Sequence, residues 1–257
     1  MTDALQFAVE LSQSTGNLLL RYYQNGVSIQ LKADHSPVTE ADLAADAWIA
    51  AEIGRAFPQD GLISEERSPI YRGEGAAIWV VDPLDGTANF GNNIPLWGVS
   101  IARVVDGSPQ VAALHFPALN ETFSAQRGAP AQCNGKVLQA NLNHEAGLYA
   151  HCSRVIKKYR FNLPQTARIF GSTAYNLCSV ARGSVIADVE LRPQIWDLAA
   201  GWLVVQQSGG VIRTWDNSLP FPLQSGVDYR TRHFATLAAR SPHLAQHTLE
   251  SMQLRET

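Results

Sequence analysis

Asp82-Pro83-Leu84-Asp85-Gly86-Thr87 sets two carboxylates and a hydroxyl around a forced turn, directly after the apolar run Ile78-Trp79-Val80-Val81. Hard oxygen donors at this spacing suit a divalent cation and the phosphate it would neutralise. Pro83 keeps the residue before it extended, Gly86 admits a conformation or close approach that a Cβ would block, and Thr87 can open a helix. The preceding run is short enough for a buried strand, so both carboxylates leave the strand end together. The same residues also describe an acidic turn with a threonine cap. A metal site needs more ligands than this turn offers.

Other stretches can supply them, and each has a purely structural alternative. Glu65-Glu66 follows the short apolar strand Leu62-Ile63-Ser64 and could be either a site pair or surface charge. Asp42 completes Thr39-Glu40-Ala41-Asp42, which has the spacing of a helix capping box. Asp197 opens Trp196-Asp197-Leu198-Ala199-Ala200-Gly201 as an N-cap or first-turn acid favoured by the helix dipole. Gly171-Ser172-Thr173 starts a helix with small, hydroxyl-bearing residues that could face an anion, although capping alone accounts for them. The seven histidines show no metal-ligand spacing, and His115, His151 and His233 read as structural.

The elements that must position these residues follow in order. Residues 3 to 23 form an amphipathic helix with Asp3 as its cap, and residues 27 to 32 alternate like a strand until Ser36-Pro37 breaks them. Lys32 reads as a solvated charge. A helix runs from the Thr39 box to Phe57-Pro58, and strands follow at 62–64 and 78–82. Strands at 99–105, 110–116, 121–125 and 131–133, separated by turn residues, form an antiparallel meander. Beyond residue 141 strands at 148–152, 167–170 and 185–191 alternate with helical stretches, as in an α/β arrangement. A helix from 195 to 207, strands at 211–214 and 234–239, and a terminal helix capped at Ser241-Pro242 complete the chain. The organisation expected is a lobe at 1–140 carrying the antiparallel sheet and a lobe at 141–257 carrying Asp197.

Composition bounds the function. The chain has 257 residues, 46% hydrophobic and 17% charged, with a net charge of -3, so no overall field favours nucleic acid or an anionic membrane. Cys133, Cys152 and Cys178 are widely spaced and odd in number, which argues against a disulfide framework and a zinc site. Neither a signal-peptide pattern nor a membrane-length apolar run is present, and a cytoplasmic protein is expected.

Leu62-Ile63-Ser64-Glu65-Glu66, Asp82-Pro83-Leu84-Asp85-Gly86-Thr87 and Trp196-Asp197-Leu198-Ala199-Ala200-Gly201, in this order and spacing, resemble the signature blocks of the inositol monophosphatase family. That family comprises magnesium-dependent, lithium-sensitive phosphatases. The resemblance implies a layered αβαβα sandwich of helices and sheets, a homodimer, and a small phosphate ester as substrate. It also implies two to three Mg²⁺ ions, with Mn²⁺ as a substitute. Glu65, Asp82 and the Leu84 carbonyl would hold the first ion and Asp82, Asp85 and Asp197 the second, while Glu65 would reach a third through water. Thr87, with Asp42 as its partner, would orient the attacking water, so that the capping role of Asp42 becomes the lesser one. The Gly86 and Thr87 amides would receive phosphate, and Gly171, Ser172, Thr173 and Glu190 would line the alcohol pocket. Ser64 in place of the family's usual glycine, Gly91-Asn92-Asn93 in place of a loop that commonly carries a histidine, and Thr173 where alanine is common depart from the pattern near that pocket. Inositol or sugar monophosphate is the expected substrate. Histidinol phosphate, fructose 1,6-bisphosphate or a 3'(2'),5'-bisphosphate nucleotide are the alternatives, and a regulatory RNA- or protein-binding role is the rival from outside enzymology.

Overall fold

A computed structural model describes residues 3–31, 37–67, 70–71, 77–140 and 147–255. Lys32 and the start of the expected second lobe, residues 141–146, lie outside them. Asp3 caps α1 (Ala4–Asn25) by accepting from the Leu5 amide at 2.9 Å. β1 (Gln30–Leu31) pairs antiparallel with β2 (Pro37–Val38). The chain was expected to break at Pro37, yet Pro37 opens a strand, a position where its missing N–H costs no ladder bond. Thr39 caps α2 (Glu40–Ala56).

β3 (Gly61–Ser64) lies parallel to β4 (Ile78–Asp85), which leads into the short α3 (Thr87–Gly91). β5 (Gly98–Val105), β6 (Ser108–Phe116), β7 (Glu121–Gln126), β8 (Gln132–Cys133) and β9 (Lys136–Val137) continue as the expected meander, giving a seven-stranded sheet in the order β3 to β9. Then come β10 (Leu148–His151), α4 (Ser153–Lys158), β11 (Tyr159–Phe161), β12 (Thr166–Arg168), α5 (Thr173–Ala181), β13 (Val185–Glu190) and α6 (Ile195–Gln207). β14 (Val211–Thr214), β15 (Thr236–Ala239), α7 (Pro242–Glu250) and β16 (Met252–Leu254) end it. The second sheet is mixed, in the order β12-β10-β13-β15-β14, and β11 pairs with β16 apart from it. The two- and three-residue strands β9, β11 and β16 are too short to show an alternation and were not anticipated.

Side-chain alternation along β4 explains why it reads as a continuous apolar run. Ile78 and Val80 join a core with Leu177, Trp196 and Leu203 of α5 and α6, whereas Trp79 and Val81 pack with Leu11 and Ile49 of α1 and α2. A strand covered on both faces has no polar side. β13 and β15 behave likewise: Val185 and Ala238 face the α5/α6 layer, and Ile186 and Leu237 face Val155 and Leu244 of α4 and α7. The layers are therefore α1/α2, the seven-stranded sheet, α5/α6, the five-stranded sheet and α4/α7, an αβαβα sandwich.

Candidate active site

Parallel pairing brings the first acids together. Ser64 of β3 is in register with Val81 of β4, and the Glu65 amide extends the ladder to the Val81 carbonyl at 3.3 Å. Glu65 thus leaves β3 beside Asp82. The register of β4 against β5 shifts between Asp82 and Asp85, around Pro83, which has no amide hydrogen to give. There the Leu84 amide donates to Asp82 Oδ1 at 3.0 Å. Gly86 adopts φ 86°, and a Cβ on it would lie 2.8 Å from the Leu96 carbonyl oxygen, so both its conformation and its surroundings demand glycine.

Asp197 arrives from the other half of the chain. It is the third residue of α6 and accepts from the Gln194 amide at 2.7 Å, so Gln194 takes the cap and Asp197 is the first-turn acid. One carboxylate oxygen each from Asp82, Asp85 and Asp197 lie within 4.8 Å of one another. Burial first, and then the neighbouring charges, hold Asp82 and Asp197 well above the usual carboxylate range. Asp85 is pushed up to about 6 by burial, against the Ser172 hydroxyl and the Ala174 and Thr173 amides that favour its anion. Among the described residues no lysine or arginine pairs with these three acids. Two buried carboxylates and a half-buried one, crowded without a counter-charge, fit a divalent cation, and an oxygen-only donor set suits Mg²⁺ or Mn²⁺ rather than zinc. Glu65 stands near enough to raise Asp82 and Asp197, and both it and the cluster line one cavity of about 840 Å³.

Thr87 begins α3, with its hydroxyl 3.0 Å from both Asp42 Oδ1 and the Leu84 carbonyl oxygen, so its single proton serves one of them at a time. The other oxygen of Asp42 accepts from the Thr39 amide at 2.8 Å and the Thr39 hydroxyl at 2.6 Å. The capping box and the contact to Thr87 therefore coexist on opposite oxygens, and neither is the lesser.

At the cavity's other end Ser172 caps α5 and donates to Asp85, which engages its hydroxyl with the acid cluster. Gly171 packs against Asn89, whose amide donates at 2.7 Å to the carbonyls of both Leu96 and Phe170. Thr173 lines the cavity, as does Glu190 at the end of β13. Glu190 accepts from Asn176 Nδ2 at 2.7 Å, and burial pushes its carboxyl up to about 7. Sequence reasoning missed Arg154, Arg192 and Arg230, which line the same cavity, and read His233, which also lines it, as structural. Burial, then Arg192 and Arg154, hold the His233 imidazole below its ordinary range. None of these four lies in a patterned motif, so the only available signal was the nearness of Arg192 to Glu190 in the chain.

A layered αβαβα fold with an oxygen-only acid cluster beside the start of a central helix defines a phosphatase architecture. The structure of Thermotoga maritima IMPase matches it with a TM-score of 0.80 and 27% identity, covering 97% of this chain and 98% of that one. The profile of the inositol monophosphatase family matches residues 1–253, and the chain belongs to that family. Nus factor SuhB of Escherichia coli (strain K12) is 34% identical over 242 residues, 88% of this chain and 91% of the relative. A histidinol-phosphatase of Chlorobaculum parvum is 35% identical over 227 residues, 82% of this chain and 85% of the relative.

Proposed function

We propose that this chain is a magnesium-dependent phosphomonoesterase that hydrolyses a small polar alcohol phosphate, an inositol or sugar monophosphate, by direct attack of water. The observation that carries the reading is the trio Asp82, Asp85 and Asp197 gathered in one cavity with Thr87, whose hydroxyl meets Asp42 behind it. Glu65, Asp82, the Leu84 carbonyl, Asp85 and Asp197 would hold two to three Mg²⁺ ions, which supply neutralisation of the phosphoryl oxygens and acidification of water. Asp42 accepts the Thr87 proton and leaves a Thr87 lone pair for a water hydrogen, which orients that water. The Gly86 and Thr87 amides would receive phosphoryl oxygens. Gly171, Thr173 and Glu190 would face the alcohol, while Ser172 steadies Asp85. A cytoplasmic homodimer inhibited by lithium belongs to the same reading.

Phosphate release from a panel of metabolite phosphomonoesters, with and without Mg²⁺ and Li⁺, tests it. Release from inositol or sugar monophosphates that requires Mg²⁺ is expected; no Mg²⁺-dependent release from any phosphomonoester sinks it. Asp82→Asn should lose turnover by orders of magnitude with an unchanged thermal melt, and near-normal turnover at saturating Mg²⁺ would remove Asp82 from the metal site.

Two further readings rest on the relatives. The likeness to a histidinol-phosphatase favours an amino-alcohol phosphate, for which the buried Glu190 would be a partner, although Arg154 and Arg192 in the same cavity oppose a cation. The likeness to a Nus factor favours an RNA- or protein-binding role. RNA binding that survives Asp85→Asn while phosphatase activity does not would show both roles in one chain.

A further inference from the structure

Asp42 and Asp46 lie four residues apart on α2 and are both buried, so one helix face carries them toward the site. Asp42 holds Thr87. Asp46 accepts from the Ser64 hydroxyl at 2.6 Å with one oxygen and pairs with Arg67 Nε at 2.5 Å through the other. Ser64 and Arg67 are the two ends of the turn that carries Glu65 and Glu66, closed by the Arg67 amide on the Ser64 carbonyl at 3.2 Å. The Arg67 carbonyl in turn accepts from Arg230 Nη2 at 3.0 Å, and the Arg230 carbonyl accepts from Gln194 Nε2 at 2.8 Å. Gln194 is the residue whose amide holds Asp197. One unbroken series of contacts therefore runs from α2, around the Glu65 turn, to the start of α6.

Such a tether has a physical purpose. Glu65 faces Asp82 and Asp197, and Glu66 faces Asp42, in each case as a like charge. When these acids are ionised, like charge opposes their approach, and the bond from the Glu65 amide to the Val81 carbonyl, at 3.3 Å, is the last ladder bond of the turn. Arg67 is the cation next to this acid pair, and Asp46 draws it back onto α2.

Resting on the reading of Glu65 as a metal ligand, we propose that Asp46, Ser64 and Arg67 are positioning residues that hold Glu65 against the acid cluster, and that Arg230 couples this turn to Asp197. Asp46, Ser64 and Arg67 stand behind the cavity and do not line it, whereas Arg230 does. Their function is to set the affinity for the cation that Glu65 serves, while Thr87 and its partner stay in place.

Titration calorimetry of the full-length protein with Mg²⁺ alone, alongside the Mg²⁺ dependence of turnover, tests the proposal with Arg67→Met, Asp46→Asn and Arg67→Lys. Arg67→Met should weaken Mg²⁺ binding about tenfold or more, the range in which groups behind metal ligands act, with turnover at saturating Mg²⁺ nearly unchanged. Arg67→Lys should restore much of the affinity. Asp46→Asn combined with Arg67→Met should bind Mg²⁺ no more weakly than the weaker-binding of the two single variants, because both changes remove the same Asp46–Arg67 contact. Wild-type Mg²⁺ affinity in Arg67→Met, with or without a lower melting temperature, overturns the positioning role. Absence of Mg²⁺ binding by the wild-type protein would overturn the metal reading itself, and this proposal with it.

Discussion

Thr87 and Asp42 are the residues whose arrangement says most about chemistry. A hydroxyl oxygen buried between a carboxylate and a carbonyl is held in place, so its loss should affect orientation more than binding. Thr87→Ala is expected to slow hydrolysis on the order of a hundredfold while calorimetry still shows Mg²⁺ binding. Unchanged turnover would remove Thr87 from the mechanism. Asp42 also shows how one residue can satisfy two readings of a sequence. A carboxylate has two oxygens, and here one closes the cap of α2 while the other meets α3. The capping spacing was visible along the chain; the second partner, 45 residues away, was legible only through the family resemblance.

At the scale of elements, the contact between α5 and α6 sets the site's two remote contributions. Ser172, the cap of α5, donates to Asp85, and Asp197 lies in the first turn of α6. The helices approach closely at Gly201, where a Cβ would lie 2.5 Å from Leu177 Cδ1 and 3.0 Å from Leu177 Cβ. Gly201→Val should therefore overpack the interface and cost roughly 1–3 kcal/mol of stability, read by denaturant unfolding. It should also weaken Mg²⁺ binding if the helix starts separate. A variant as stable as the wild type would mean that the two helices adjust freely. Most elements were legible because caps and periodicity are local: Asp3, Thr39, Ser172 and Ser241 each cap the helix they precede. The short strands β9, β11 and β16 were not, because their pairing is decided by partners distant in the chain.

For the whole molecule, the buried acids tie stability to pH and to metal. Burial first pushes the Asp85 carboxyl up to about 6 and the Glu190 carboxyl up to about 7. A group whose folded value is raised binds its proton more tightly when folded. Its stabilising contribution is fully present below the unfolded value, about 4, and is lost as pH rises through the folded one. The metal-free protein should thus lose stability from these groups between about pH 4 and pH 7, and the rise in melting temperature on adding Mg²⁺ should grow over that window. A Mg²⁺ effect that is flat or shrinks with rising pH would contradict this account. The expected division at 140/141 stays a proposal, and the central core bears on it: residues from Ile63 to Ala131 and from Ala150 to Ala238 share one buried cluster, so a fragment ending at 140 would expose that face.

By itself the sequence determined the family, the fold class and the oxygen-rich character of the site, because residue identity and local spacing carry ligand chemistry, caps and strand period. The order of the three acid blocks made them readable as one site before any contact was known. Only the tertiary structure decided which oxygen of Asp42 serves which partner, that Ser172 turns to Asp85, and that Arg67 and Arg230 link the Glu65 turn to Asp197. These contacts join residues tens to more than a hundred positions apart, on elements whose apposition follows from burying both faces of each sheet. No local pattern encodes which side chains that packing brings within reach.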